Sequence, residues 1–138
     1  MPRAAKPPEP VTPERIERAL LAAQNRDPDA LREILAPAVV WHTPSHNMIG
    51  GDHMGREQAV QHLRDQRDLT RGSLHAEERE TLRMAGAEGS VTMHVVAVRG
   101  ERRLDLDEEI RLRLEDGRVA EMWSVPRDPA AWDRFWSA

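Results

Sequence analysis

From Leu104 to Glu115 the chain alternates with a period of two, and this stretch limits the fold more than any other. Leu104, Leu106, Ile110, Leu112 and Leu114 fall on one face, and Asp105, Asp107, Glu109, Arg111, Arg113 and Glu115 on the other. A helix would scatter these side chains around its circumference, whereas a strand sends every second one to the same side. Asp116-Gly117 follows, a pair suited to the left-handed backbone of a tight hairpin. Residues 118–126 (RVAEMWSVP) then read as the returning strand, 90–99 (SVTMHVVAVR) as another, and 73–85 as a weakly patterned one. The second half is therefore expected to be an antiparallel sheet of long strands.

The first half has a helical period. Thr12-Pro13 is a helix start, with Ile16, Ala19, Leu20 and Ala23 as its apolar stripe. Asp27-Pro28 repeats the signal, and Leu31, Ile34 and Leu35 suggest a short second helix that ends before Pro37. Residues 38–43 (AVVWHT) read as a strand and 44–55 as a loop. Arg56 to about Asp68 reads as a third helix with Ala59, Val60 and Leu63 inward. Asp128-Pro129 starts a terminal helix carrying Trp132, Phe135 and Trp136. Helices first and antiparallel strands after them predict an α+β fold, a curved sheet over a few helices. The 138 residues suit one domain. Residues 1–12 (MPRAAKPPEPVT), rich in proline, are expected to be a disordered tail, and 13–138 the single domain.

Bulk properties remove whole classes of function. A net charge of −4 argues against a nucleic-acid partner. The chain has no cysteine, so thiolate catalysis and cysteine-bound zinc are excluded, and no tyrosine, so no phenol can donate a proton. No apolar run approaches the roughly 18 residues of a membrane span, and a cytoplasmic location with no membrane partner is expected. Lys6 is the only lysine, an arginine bias that fits a GC-rich bacterial genome.

Several polar residues bear on chemistry. Glu108 falls on the apolar face of its strand, where burial would raise its pKa and suit it to exchange a proton near neutrality. The plainer reading pairs it with an arginine or leaves it in water at a strand end. His42 closes the strand in "VWHTP" and is a candidate general base, or else a histidine bonded to backbone. His46, Asp52 and His53 lie in the loop, as the rim of a pocket or as solvated connectors. A zinc site built from His42, His46, His53 and Asp52 is a third reading, disfavoured because the spacing matches no helical ligand pattern. Trp41 and Trp123 are pocket walls or core. His94 falls on the parity opposite Met93, Val95 and Ala97, which puts it on the convex side. Asp128 reads as a helix cap.

The stretch "VVWHTPSHNMIGGDHMGREQAV" (39–60) resembles the strand–loop–helix segment of bacterial SnoaL-like proteins, typically V-V-W-H-x-P-G, a short loop and G-x-x-x-G-R-[ED]-x-[AV]. "RRLDLDEEIRLRLEDGRVAEMWSVPRDPAAWDRFW" is similar to their closing hairpin and terminal helix. The resemblance covers about residues 13–137 and belongs to the nuclear transport factor two-like superfamily, which includes ketosteroid isomerase, polyketide cyclases and limonene epoxide hydrolase. It implies a conical barrel of strongly curved, mostly antiparallel sheet wrapped around three N-terminal helices, often a dimer, with an apolar pocket. Ser45 stands where the family has glycine, and against the family's pattern the loop is a residue longer. Isomerase chemistry of the steroid kind needs a tyrosine, which is absent. Val95 and Ala97 stand at the inward positions where the epoxide hydrolases carry charged groups.

These readings converge on a cofactor-free enzyme performing cyclisation, isomerisation or hydration on an apolar organic molecule such as a polyketide or terpenoid. His42 and Glu108 are its expected acid–base pair across the cavity. Trp41, His46, His53, Val95, Ile110, Met122 and Ser124 are the expected ligand contacts, with no metal. The alternatives are a non-catalytic ligand-binding or interaction module and, less favoured, a metal-dependent hydrolase. Strand 90–99 is apolar at both parities, which suggests that a second copy covers the convex face as a homodimer.

Overall fold

The computed structural model describes residues 10–138. In order, the chain forms α1 (Pro13–Asn25), a 3-10 turn (Pro28–Glu33), β1 (Leu35–Thr43), β2 (Gly51–Met54), α2 (Arg56–Leu69), β3 (His75–Ala85), β4 (Glu88–Arg99), β5 (Arg102–Glu115), β6 (Arg118–Pro126) and α3 (Pro129–Phe135). The strands make one open sheet in the order β2-β1-β6-β5-β4-β3. Only β1 and β6 run parallel. This is the expected α+β architecture, a mostly antiparallel sheet curved over helices.

The alternating stretch becomes β5, the central rung of the long sheet. Its residues 102–113 pair with β4, from Arg99↔Arg102 to Glu88↔Arg113. Asp116 and Gly117 take φ of 51° and 74°, the two left-handed residues of a type I′ turn, and deliver β6 back along β5. Leu104, Leu106, Ile110, Leu112, Met93, Val95, Ala97 and Met122 are buried on the concave face. They form one core with Ile16, Leu20 and Ala23 of α1 and Ala59, Val60 and Leu63 of α2. Each large aliphatic side chain withdrawn from water in this way contributes about 1.5–3 kcal/mol.

Three expectations change. The second helix is only a 3-10 turn, and the strand begins at Leu35 rather than at residue 38. Pro37 then lies inside β1, where it has no N–H to give the ladder. The β1–β6 register accordingly slips between Leu35↔Val119 and Val40↔Glu121. Second, the loop contains β2, which pairs Asp52 with His42 and His53 with Trp41. It is a short edge strand with three of its four residues exposed, so it lacks the apolar alternation that would announce it. Third, Val11, at the inner end of the expected tail, packs into the domain. Residues 1–9 lie outside the described residues, but Val11 is buried and its N–H donates to Gly117 O at 3.0 Å. No helix among the described residues is long and apolar enough to cross a membrane.

Candidate functional site

Glu108 sits in the middle of β5 between Leu106 and Ile110, facing the concave core, and is 4% exposed. Its cross-strand neighbours are Met93 and Pro126. It is therefore neither in water nor neutralised by an arginine. Burial pushes its carboxyl up to about 7, against the opposing pull of a hydrogen bond with Ser124. Near neutral pH the group is divided between acid and carboxylate, the condition for giving or taking a proton there.

A row of buried polar groups runs from Glu108 across the concave face. Ser124, on β6, accepts a hydrogen bond from Trp41 Nε1 at 2.9 Å. The Trp41 ring meets the His62 ring edge-on, with centroids 4.6 Å apart. His62 Nε2 lies 2.9 Å from Thr43 Oγ1 and 3.2 Å from the Gln66 amide nitrogen. An amide nitrogen only donates, so with the amide placed this way His62 Nε2 is the bare nitrogen and Nδ1 carries the ring proton. Burial, and then the nearby His53, hold His62 well below the usual histidine range, so it is neutral. His53 stacks on His62 at 3.6 Å, and its Nε2 donates to Ile49 O at 3.1 Å. The 44–50 loop is thus tied to the His62 end of the row. The loop also bonds α3, through Asn47 to Asp133 at 3.0 Å and Met48 N–H to Trp136 O at 3.1 Å.

His42 belongs elsewhere. Successive strand residues point to opposite faces, and Trp41 takes the concave one. His42 therefore projects from the outer face, and the expected pairing with Glu108 across a cavity is not made. Its Nδ1 lies 2.7 Å from Asp52 Oδ1 and its Nε2 2.6 Å from Glu121 Oε2. Its ring stacks on Trp123 at 5.5 Å. Burial pulls its pKa down, but the bonds to Glu121 and Asp52 outweigh this and raise it. His94 lies on the same outer face, as its parity indicated, with ring nitrogens 2.7 Å from Asp105 and 2.8 Å from Asp107.

The remaining expected residues separate along the same line. Trp41, Val95, Ile110, Met122 and Ser124 are all buried on the concave side with Glu108. His53 joins them at the loop end, whereas His46 is exposed. The four residues weighed as zinc ligands do not converge: His42 and Asp52 face outward, and His53 packs on His62. Asp128 caps α3, accepting from Ala131 N–H at 3.1 Å. Sequence reasoning missed Thr43, His62 and Gln66. The signal for the latter two was present, since both fall on the helix face that Ala59 and Leu63 define.

Among the described residues, recesses of about 290 to 680 Å³ open on the surface with linings that do not include Glu108, Trp41, His62 or Ser124. The 680 Å³ recess lies against β1 and β6, with Pro37, Val40 and Ala120 in its wall and Arg113 and Glu121 at its edge.

With this geometry established, comparison with known proteins gives a consistent result. The SnoaL-like domain profile matches residues 16–122. No curated protein matches the chain. Among solved structures, Bal32a, from a soil-derived mobile gene cassette, is 29% identical, covering 89% of this chain and 94% of its own, with a TM-score of 0.82. TerC, co-crystallised with polyporic acid, is 19% identical over 90% of this chain and 98% of its own, with a TM-score of 0.76. A Jannaschia protein described as a SnoaL-like polyketide cyclase is 17% identical over 97% of this chain and 99% of its own, with a TM-score of 0.69. The last two share the fold.

Proposed function

We propose a function from one premise: the chain belongs to the SnoaL-like domain family. It binds a small, largely apolar organic molecule against the concave face and moves a proton on it through Glu108. The observation that carries this reading is a carboxyl buried among aliphatic side chains with no cation beside it, poised near neutrality. Natural cores rarely keep an unpaired carboxyl, because burial penalises its charged form. Its retention there suits proton exchange with a bound ligand.

The other residues divide the work. Ser124 hydrogen-bonds Glu108 and is itself held by Trp41, so the carboxyl is oriented. Neutral His62, fixed by Thr43 and Gln66, supplies the second polar group of the row. Val95, Ile110 and Met122 exclude water from the reacting group. Proton abstraction next to a carbonyl, followed by cyclisation or isomerisation, needs no more than this acid–base group and a shaped wall. The 44–50 loop, tied to α3 and to His53, is the element that parts to admit the molecule. A second copy of the chain covers the outer face around Trp123, Val125 and Val96, making a homodimer.

The test is a panel of polycyclic ketones, quinones and terpenoids, polyporic acid among them, screened by NMR and then for turnover. Compounds that bind should shift the Trp41 and Ser124 resonances. Glu108→Gln should lower turnover about a hundredfold, while His42→Ala should leave it unchanged. Equal turnover by Glu108→Gln overturns the assignment. A non-catalytic binding module is the second reading, favoured by the 680 Å³ recess against β1 and β6, whose wall of Pro37, Val40 and Ala120 lies away from Glu108. It predicts binding with no turnover in any variant.

A further inference from the structure

We propose that the far end of the β4–β5 hairpin is a binding site for a small molecule carrying two or more phosphate groups. Two recesses meet there. One, of about 450 Å³, is lined by Arg102, Arg103 and Arg134 with Ala131 and Phe135. The other, of about 430 Å³, is lined by Arg71, Arg99 and Arg102 with Leu69 and Val98. Arg102 lines both, so five guanidinium groups from four segments of the chain border two adjoining recesses.

The charge is concentrated against the trend of the molecule, whose formal net charge is −4. None of the five arginines enters an ion pair among the described residues, and no acidic side chain lines either recess. Glu101 lies in the hairpin turn outside both, and Asp133 is held by Asn47. By contrast, the recess over α1 gathers Arg15, Arg18 and Arg26 but includes Glu33. Five like charges here meet no acidic side chain and at most the main-chain carboxyl of Ala138 as counter-charge, which is unfavourable in the unoccupied protein, and an anion relieves it.

Two of the guanidinium groups are preorganised. Arg99 Nη1 donates to the Phe135 and Ser137 carbonyls, and Arg102 donates to the Ser137 carbonyl and to a main-chain carboxyl oxygen of Ala138. Arg99 also lies over the Phe135 and Trp136 rings at 5.9 and 6.0 Å. Side chains already fixed lose little freedom on binding. Arg71, Arg103 and Arg134 are exposed and reach outward. Planar guanidinium forks match phosphate oxygens in pairs, and the double charge of a phosphate suits a cluster of this density better than a single carboxylate. Each recess has the volume of a small-ligand site, and the shared Arg102 lets two phosphates be held at once.

The experiment titrates inorganic tripolyphosphate into the full chain by calorimetry. One saturable site per chain is expected, weakened in high salt. The double variant Arg103→Gln/Arg134→Gln removes two charges whose side chains make no hydrogen bond within the described residues, so the fold is preserved, and it should bind about tenfold more weakly. Arg102→Gln should lose at least as much, and Arg83→Gln, on β3, nothing. The proposal fails if no saturation is seen at millimolar probe, or if the double variant binds like the parent. It fails equally if Arg83→Gln is weakened as much as the double variant, or if a polyglutamate peptide binds more tightly than tripolyphosphate.

Discussion

Replacing Glu108 with glutamine removes a carboxyl whose burial raises its proton affinity on folding, and it alters how stability depends on pH. In the unfolded chain the carboxyl titrates at its ordinary 4.5, and in the fold at about 7. Between those values the folded protein holds a proton that the unfolded chain has released, so stability falls as pH rises. The contribution is fully present below the unfolded pKa, is lost as pH passes through the folded one, and is constant above it. At about 1.4 kcal/mol per pH unit, lifting the carboxyl from 4.5 to about 7 corresponds to roughly 3 kcal/mol. Glutamine keeps the shape and cannot ionise. The stability of Glu108→Gln relative to the parent should therefore rise by about 3 kcal/mol between about pH 4.5 and pH 8.5. Urea unfolding of both proteins across that range measures it, and subtraction cancels every group the two share. A difference that stays flat to within about 0.5 kcal/mol would mean that Glu108 titrates alike in both states, and the argument from its burial would be wrong.

Other perturbations separate the concave row from the outer face. Ser124→Ala removes the bond that lowers Glu108 and strands the Trp41 N–H; the midpoint of the pH–stability profile should move upward and stability should drop by about 1–3 kcal/mol. An unchanged midpoint would deny the contact. His42 has its pKa raised by folding, so its ion pairs stabilise below the unfolded pKa and cease as pH rises through the folded one. His42→Gln should accordingly cost up to about 1 kcal/mol in mildly acidic buffer, nothing in alkaline buffer, and less as salt is added. Gly50→Ala would place a Cβ 2.1 Å from the Ser45 carbonyl oxygen. The 44–50 loop must then move, at a cost of about 1–3 kcal/mol, with NMR shifts confined to the loop, His53 and α3.

How far the site was legible follows from periodicity. Glu108 could be placed because β5 alternates from Leu104 to Leu112, so one polar residue at an apolar position stands out. His42 was misplaced because it and Trp41 are adjacent on one strand, and only one of two neighbours can face the core. The larger apolar area of tryptophan decides which. His62 and Gln66 recur at the interval of a helix face and were readable in principle, although polar residues inside an apolar stripe draw less notice than those that complete it. β2 left no mark, since an edge strand of four mostly exposed residues reads as loop. The arginine surface was not legible at all. Its members are spread from residue 71 to 134, and only the fold brings the end of α2, the hairpin and α3 together.

The most direct test of the central claim is a carbon-13 NMR titration of the side-chain carboxyls, with the Glu108 signal assigned by its loss in Glu108→Gln. A midpoint at about 7, displaced when an apolar ligand binds, is the expected result. A midpoint at the ordinary 4.5, indifferent to ligand, would show Glu108 to be solvated and would end the case for proton transfer at the concave face.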